Sequence, residues 1–143
     1  MKNAFERSEA YQMIRYKVND AHLSAEQFIS FSRQVWEGTY DLEKTRGALS
    51  KTINITAYDD EMLVGCLRIL TDGCYFGTIT ELLVLPAYQK QGIGSHLLGL
   101  AKEHTPTMLY FGSQQGAEGF YDKNGCERSL QSYIIRKRDA SGK

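Results

Sequence analysis

Three short apolar runs follow one another through the middle of the chain, each closed by turn-forming residues. Ile53-Asn54-Ile55-Thr56-Ala57-Tyr58 is rich in β-branched and aromatic residues and meets Asp59-Asp60, which predicts a strand and a tight turn. Met62 to Leu70 predicts the next strand, closed by Asp72-Gly73, a strong hairpin signal. Tyr75 to Leu85 predicts a third, ended by Pro86, which cannot donate to a central ladder. Upstream, partial alternation of Ile14, Tyr16 and Val18 predicts a strand over Met13 to Val18.

Elsewhere the apolar period lengthens to that of a helix. Ser24 with Gln27 makes a capping box, and Phe28, Phe31, Val35 and Trp36 follow at helical spacing. A second short helix is predicted from Asp41 to Ser50, and a third on the face Ile93, Leu97, Leu100, Ala101, reaching His104. Met108-Leu109-Tyr110-Phe111 predicts a short buried strand, Gln115 to Lys123 a helix, and Ser129 to Arg136 a last strand. The order is strand, two helices, three strands, helix, strand, helix, strand. A three-strand meander followed by alternating elements predicts an α/β (α+β) architecture, a mixed sheet with helices packed on it.

The 143 residues predict one domain, 1–143, with enough chain to bury a core without metals or disulfides. Lysine plus arginine balance aspartate plus glutamate at a net charge of zero, so neither nucleic acid nor a cationic polymer is indicated as partner. No stretch approaches a membrane span, and the polar start Met1-Lys2-Asn3-Ala4-Phe5-Glu6-Arg7 does not read as a signal peptide, so the expected location is cytoplasmic. The tail from Arg136 to Lys143 reads as frayed. Cys66, Cys74 and Cys126 show no C-x-x-C spacing, and no histidine has a metal partner at ligand spacing, so no metal is implied.

The candidate chemistry begins at Gln89-Lys90-Gln91-Gly92-Ile93-Gly94, between the apolar run Leu82-Leu83-Val84-Leu85 and the third helix. A strand, a glycine-bearing loop and a helix make a phosphate site. The first N–H groups of the helix lack partners, and its dipole favours negative charge there. Gly92 and Gly94 remove side chains where a pyrophosphate would approach the backbone. A Rossmann fingerprint fits less well, because it needs a small residue where this chain has Leu97.

In this order of elements the chain resembles the GNAT superfamily of N-acetyltransferases. The family's cofactor motif, Arg/Gln-x-x-Gly-x-Gly/Ala, is similar to Gln89 to Gly94, and its Phe-Tyr-x-x-x-Gly-Phe element is similar to Phe120-Tyr121-Asp122-Lys123-Asn124-Gly125-Cys126, with Cys126 in place of the phenylalanine. The resemblance covers nearly the whole chain and is closest to small bacterial acetyltransferases with a Tyr-Lys-Val-Asn segment, as at Tyr16 to Asn19. It implies a mostly antiparallel central sheet of about six or seven strands flanked by about four helices and splayed between strands 4 and 5. In such a splay acetyl-CoA would lie with its pantetheine arm on the main chain of Leu82, Leu83 and Val84. The amides from Gln89 through Lys90, Gln91, Gly92, Ile93 and Gly94 to Ser95 would hold the pyrophosphate. Gln89 replaces a common family arginine, so Lys90 either adds the missing charge or is a plain loop lysine.

The resemblance also implies roles in transfer to an amine. Tyr121 would protonate the departing thiolate, or is an aromatic packing residue. Glu81 would act as base, directly or through water; the alternative is a carboxylate touching solvent or an arginine such as Arg68. A base matters because an amine of pKa about 10.4 is neutral in only about one molecule in 2,500 at pH 7. Gln114 falls where relatives place an asparagine on the pantetheine. Lys123 would reach the CoA phosphates, or is an exposed helical lysine; Glu118 would touch the acceptor, or is a solvated helix residue. The acceptor, a primary amine of a small molecule or peptide, would meet the region Phe28 to Ser50, where Trp36, Glu37, Tyr40 and Asp41 name no substrate. Homodimers are common among similar proteins. Two rival readings stand beside the enzyme: an inactive CoA-binding regulatory module, and an acyltransferase for a larger acyl-CoA.

Overall fold

The computed structural model describes residues 13–137, which fall into two compact units divided between Phe111 and Gly112. The readings of the polar start and of the tail beyond residue 137 lie outside the described residues. The first unit contains β1 (Ile14–Lys17), α1 (Ala25–Arg33), α2 (Leu42–Leu49), β2 (Ile53–Asp59), β3 (Met62–Thr71), β4 (Gly77–Val84) and α3 (Ile93–His104), with a single 3-10 turn at Pro86–Tyr88. The second unit contains α4 (Glu118–Lys123).

Local chemistry sets most of these boundaries. Ser24 Oγ accepts the N–H of Gln27 (3.0 Å) and Asp41 Oδ1 that of Lys44 (2.7 Å), so each helix of the α1–α2 pair starts on a capping side chain. Asp59 pairs with Met62 across a two-residue turn, with Asp60 in the left-handed region at φ +52°. Between β3 and β4, Asp72 Oδ1 accepts the N–H groups of Cys74, Tyr75 and Phe76, which fixes the turn without a glycine pair.

The sheet runs β1-β2-β3-β4, antiparallel throughout. Its centre is fully buried at Ile55, Ala57, Val64, Cys66, Leu67 and Ile69. Helix α3 covers one face with Ile93, Leu97, Leu98 and Ala101. Gly65 makes that approach possible, since a Cβ there would stand 3.1 Å from Leu97 and 3.2 Å from Ile93. Helix α1 covers the other face, with Phe28 and Phe31 buried and the Arg68 guanidinium 5.3 Å above the Phe28 ring.

Four expectations need correction. The described residues form four strands and four α-helices, so the expected six or seven strands are reduced to four. Met108–Phe111 makes one parallel bridge, Gly77 to Leu109, and no ladder. Ser129–Arg136 forms no strand; Leu130, Tyr133 and Ile135 stay 85, 95 and 98 % exposed. Apolar character shows what a segment could bury, but a strand exists only where a partner edge completes its hydrogen bonds. The spacing that extended the first helix to Trp36 also overreaches: α1 ends at Arg33, and Trp36 is half exposed.

Candidate active site

β4 is the last strand of the sheet, and its outer edge is open beyond Gly77. At Gly77 the neighbouring segment comes close: Tyr110 N–H donates to Gly77 O (2.9 Å). A Cβ at position 77 would meet Thr107 Oγ1 at 2.7 Å and Leu109 Cδ2 at 2.8 Å, so any side chain here forces both to shift. Along the rest of the strand no ladder forms on that side among the described residues. Leu85 N–H donates to Val64 O (2.9 Å), and ladder alternation then turns the main-chain groups of Leu82 and Val84 outward. The Gln89 side chain confirms this direction, its Nε2 donating to Val84 O (2.9 Å).

The open edge leads directly to the loop and α3. Gln89 N–H donates to Pro86 O (3.3 Å), so this amide is engaged in the turn and the available ones begin after it. Lys90 and Gly92 both adopt left-handed backbone, at φ +64° and +87°. For a lysine that conformation costs about 1 kcal/mol or more, strain of the kind held at binding loops. Gly92 serves as N-cap without a side-chain cap, and the first helical bond runs from His96 N–H to Gly92 O (3.0 Å). The N–H groups of Ile93, Gly94 and Ser95 thus open the helix without an intrahelical partner, at the positive end of a 12-residue dipole. The Ile93 side chain belongs to the core, so only its main chain faces this site. Tyr88 anchors the loop from behind through a hydrogen bond to Asp59 Oδ2.

Glu81 lies three residues before Val84, opposite Arg68. Arg68 Nε donates to Glu81 Oε1 (2.8 Å), and the Thr80 hydroxyl donates to Glu81 Oε2. Their side chains are 14 % and 23 % exposed, so the pair is sheltered yet reachable. A bulge between Arg68 and Ile69 leaves Thr80 unpaired and sets Glu81 against Arg68. This alignment was half visible in the sequence: Arg68 was a named partner, but its register depends on the bulge.

In the second unit, α4 carries Tyr121, whose ring packs edge-on to Phe120 at 5.0 Å. Burial first, and then the neighbouring Cys126, push the Tyr121 phenol above its ordinary value of 10.0. Cys126 N–H donates to Tyr121 O (3.0 Å), after Gly125 at φ +80° closes the helix. Gln114 is exposed, and its main-chain carbonyl accepts the N–H of Ala117 (2.9 Å). Glu118 is taken up locally, Oε2 accepting Gly116 N–H (2.8 Å), and Lys123 is exposed. Among the described residues no group of three or more His, Cys, Asp or Glu could hold a metal ion, and no helix is long and apolar enough to cross a membrane.

The acetyltransferase (GNAT) domain model matches residues 51–127, more than half the chain and the stretch that holds the open edge, the loop and α4. The chain belongs to the GNAT family of acetyltransferases. Its resemblance to solved GNAT structures extends beyond that stretch. A GNAT-family acetyltransferase from Streptococcus pneumoniae TIGR4 is 29% identical, with 87% of this chain and 100% of that one covered at TM-score 0.68. The aminoglycoside acetyltransferase AAC(6')-Iy, solved with a bisubstrate analog CoA-S-monomethyl-acetylneamine, is 16% identical, covering 90% and 100% at TM-score 0.67. An aminoglycoside acetyltransferase from an uncultured soil metagenomic sample, solved with sisomicin, is 17% identical, covering 87% and 97% at TM-score 0.66. No curated protein sequence matches the chain. GNAT acetyltransferases use acetyl-CoA as donor.

Proposed function

We infer that this GNAT protein, acting as one domain over residues 1–143, transfers an acetyl group from acetyl-CoA to a primary amine of a small molecule or peptide. The observation that carries the reading is the open edge of β4 running into an uncapped helix start. Leu82 and Val84 offer outward main-chain groups to an extended amide-bearing arm, with Leu83 between them held in the ladder. The amides that follow Gln89, from Lys90 through Gln91, Gly92, Ile93 and Gly94 to Ser95, suit a pyrophosphate. Gln89 itself ties the loop to the strand through its side chain. Gln114 is retained as a pantetheine ligand on the resemblance alone.

Acetyl-CoA, when bound, supplies a thioester carbonyl open to attack. The acceptor nitrogen forms the new C–N bond, the C–S bond breaks, and the nitrogen loses one proton while sulfur gains one. Glu81 takes the amine proton, directly or through water, and Arg68 and Thr80 hold its carboxylate for that task. Tyr121 gives a proton to the sulfur. A phenol raised above 10 is protonated throughout the neutral range and is available as an acid. Direct attack on the thioester is the reading adopted, and an acyl-enzyme on Cys66 is disfavoured because that residue is fully buried and its thiol is pushed well up by the burial.

Thiol release from acetyl-CoA over a panel of amines tests the reading. Tyr121→Phe and Glu81→Gln should each lower kcat about 10²-fold or more, the usual contribution of general acid–base catalysis. Because the active form of Tyr121 is protonated and its pKa is raised, any loss of rate between pH 7 and 9 should persist unchanged in Tyr121→Phe. Tight acetyl-CoA binding without turnover would instead support a regulatory CoA-binding module.

A further inference from the structure

On the α1-covered face, Asn54, Arg68 and Glu81 stand directly opposite one another across β2, β3 and β4. Neighbouring strands are about 4.8 Å apart, so the row sets three polar side chains at near-regular spacing. Arg68 is the centre of the row. Its Nε holds Glu81 at 2.8 Å, its face lies on Phe28, and its Nη1 reaches Thr52 Oγ1 only at a long 3.4 Å. Nη2 has no hydrogen-bond partner among the described residues. The two Nη groups therefore present a nearly unused fork, the geometry that binds a carboxylate bidentately. Thr52 and Asn54, on the side to which this fork turns, also line a cavity of about 420 Å³ beside the α1–α2 pair, which Arg68 adjoins through Thr52 rather than lines.

The remaining charges on this face argue in the same direction. Glu26 and Glu43 both hold Arg46, and Asp41 caps α2. Asp20 accepts hydrogen bonds from Thr56, Tyr58 and His22 N–H. A polycationic acceptor would need several uncommitted carboxylates, and of those in and beside the α1–α2 pair only Glu37 has no hydrogen bond or ion pair among the described residues.

We propose that Arg68 anchors a carboxylate of the acceptor, so that the substrate is an amino acid or another amino carboxylate, with its amine at Glu81. This rests on the acetyltransferase reading above and narrows it. An amine at Glu81 and a carboxylate on the Arg68 fork are separated by about one strand spacing, which an amino acid can span.

The experiment compares amino acids with their carboxamides and with polyamines in the thiol-release assay, for the native chain and for Arg68→Ala and Arg68→Lys. The native chain should prefer the free carboxylate by about tenfold or more in kcat/KM, the discrimination expected of a charge-assisted hydrogen bond. Arg68→Ala should bring that ratio to about one, mainly through KM. Arg68→Lys, which keeps charge without the fork, should restore part of it, and circular dichroism melts would establish that both variants are folded. Calorimetric titration of the amino acid into the acetyl-CoA-bound protein gives a readout that needs no turnover. Binding that survives Arg68→Ala overturns the proposal, as does a native preference for the carboxamide or the polyamine. Failure to bind acetyl-CoA at all overturns the acetyltransferase reading instead.

Discussion

At the scale of single residues, Gly77 is the most constrained position in the site. Gly77→Ala forces a methyl against Thr107 and Leu109, and should destabilise the fold by about 1–3 kcal/mol, the usual cost of overpacking. Gly47→Ala in α2, where nothing lies within 4 Å, should instead gain about 0.5–1 kcal/mol. Urea unfolding of the two variants would show opposite shifts; equal shifts would sink the close-approach argument. Gly77 carried no signal in the sequence, because its need comes from Leu109, distant along the chain. Ser24 and Asp41 were legible because a cap bonds to a residue three positions on. Glu81 was found by its oddity in an apolar run, yet the side of Arg68 it would meet depends on the bulge at Thr80, which no local pattern announces.

At the scale of elements, the loop between β4 and α3 joins strain to function. Gly92→Ala places a Cβ at φ +87° and should cost about 1–2 kcal/mol of stability. No atom lies within 4 Å of the added methyl, so the substitution strains the loop backbone without an internal clash. Acetyl-CoA affinity, measured by calorimetry, should fall in this variant; unchanged affinity would remove Gly92 from the cradle. The hairpins and helices of the first unit were readable because turn residues and period specify them locally. Met108–Phe111 and Ser129–Arg136 were not. Both have strand-like composition, but pairing is a property of two segments, and composition describes one.

For the whole molecule, one buried carboxylate links fold and pH. Burial alone would raise the Asp20 carboxyl, but the Tyr58, Thr56 and His22 hydrogen bonds and the charge of Lys17 outweigh it and hold the group below its ordinary 3.8. A lowered folded value means stability present above about pH 4 and lost as pH falls through it. The Tyr58 phenol is raised, by burial first and then by Asp20, so its contribution is present below about pH 10 and lost above. Asp20→Asn should flatten the acid limb of stability between pH 5 and 2; an unaltered slope would show that other carboxylates dominate. The open edge of β4 has a consequence for handling the protein. A row of unpaired N–H and C=O groups is a template on which a second chain can add its own strand. Ligand-free material should therefore self-associate as concentration rises. Saturating acetyl-CoA should lower its light scattering, so that the donor acts as a solubility factor before it acts as a reactant.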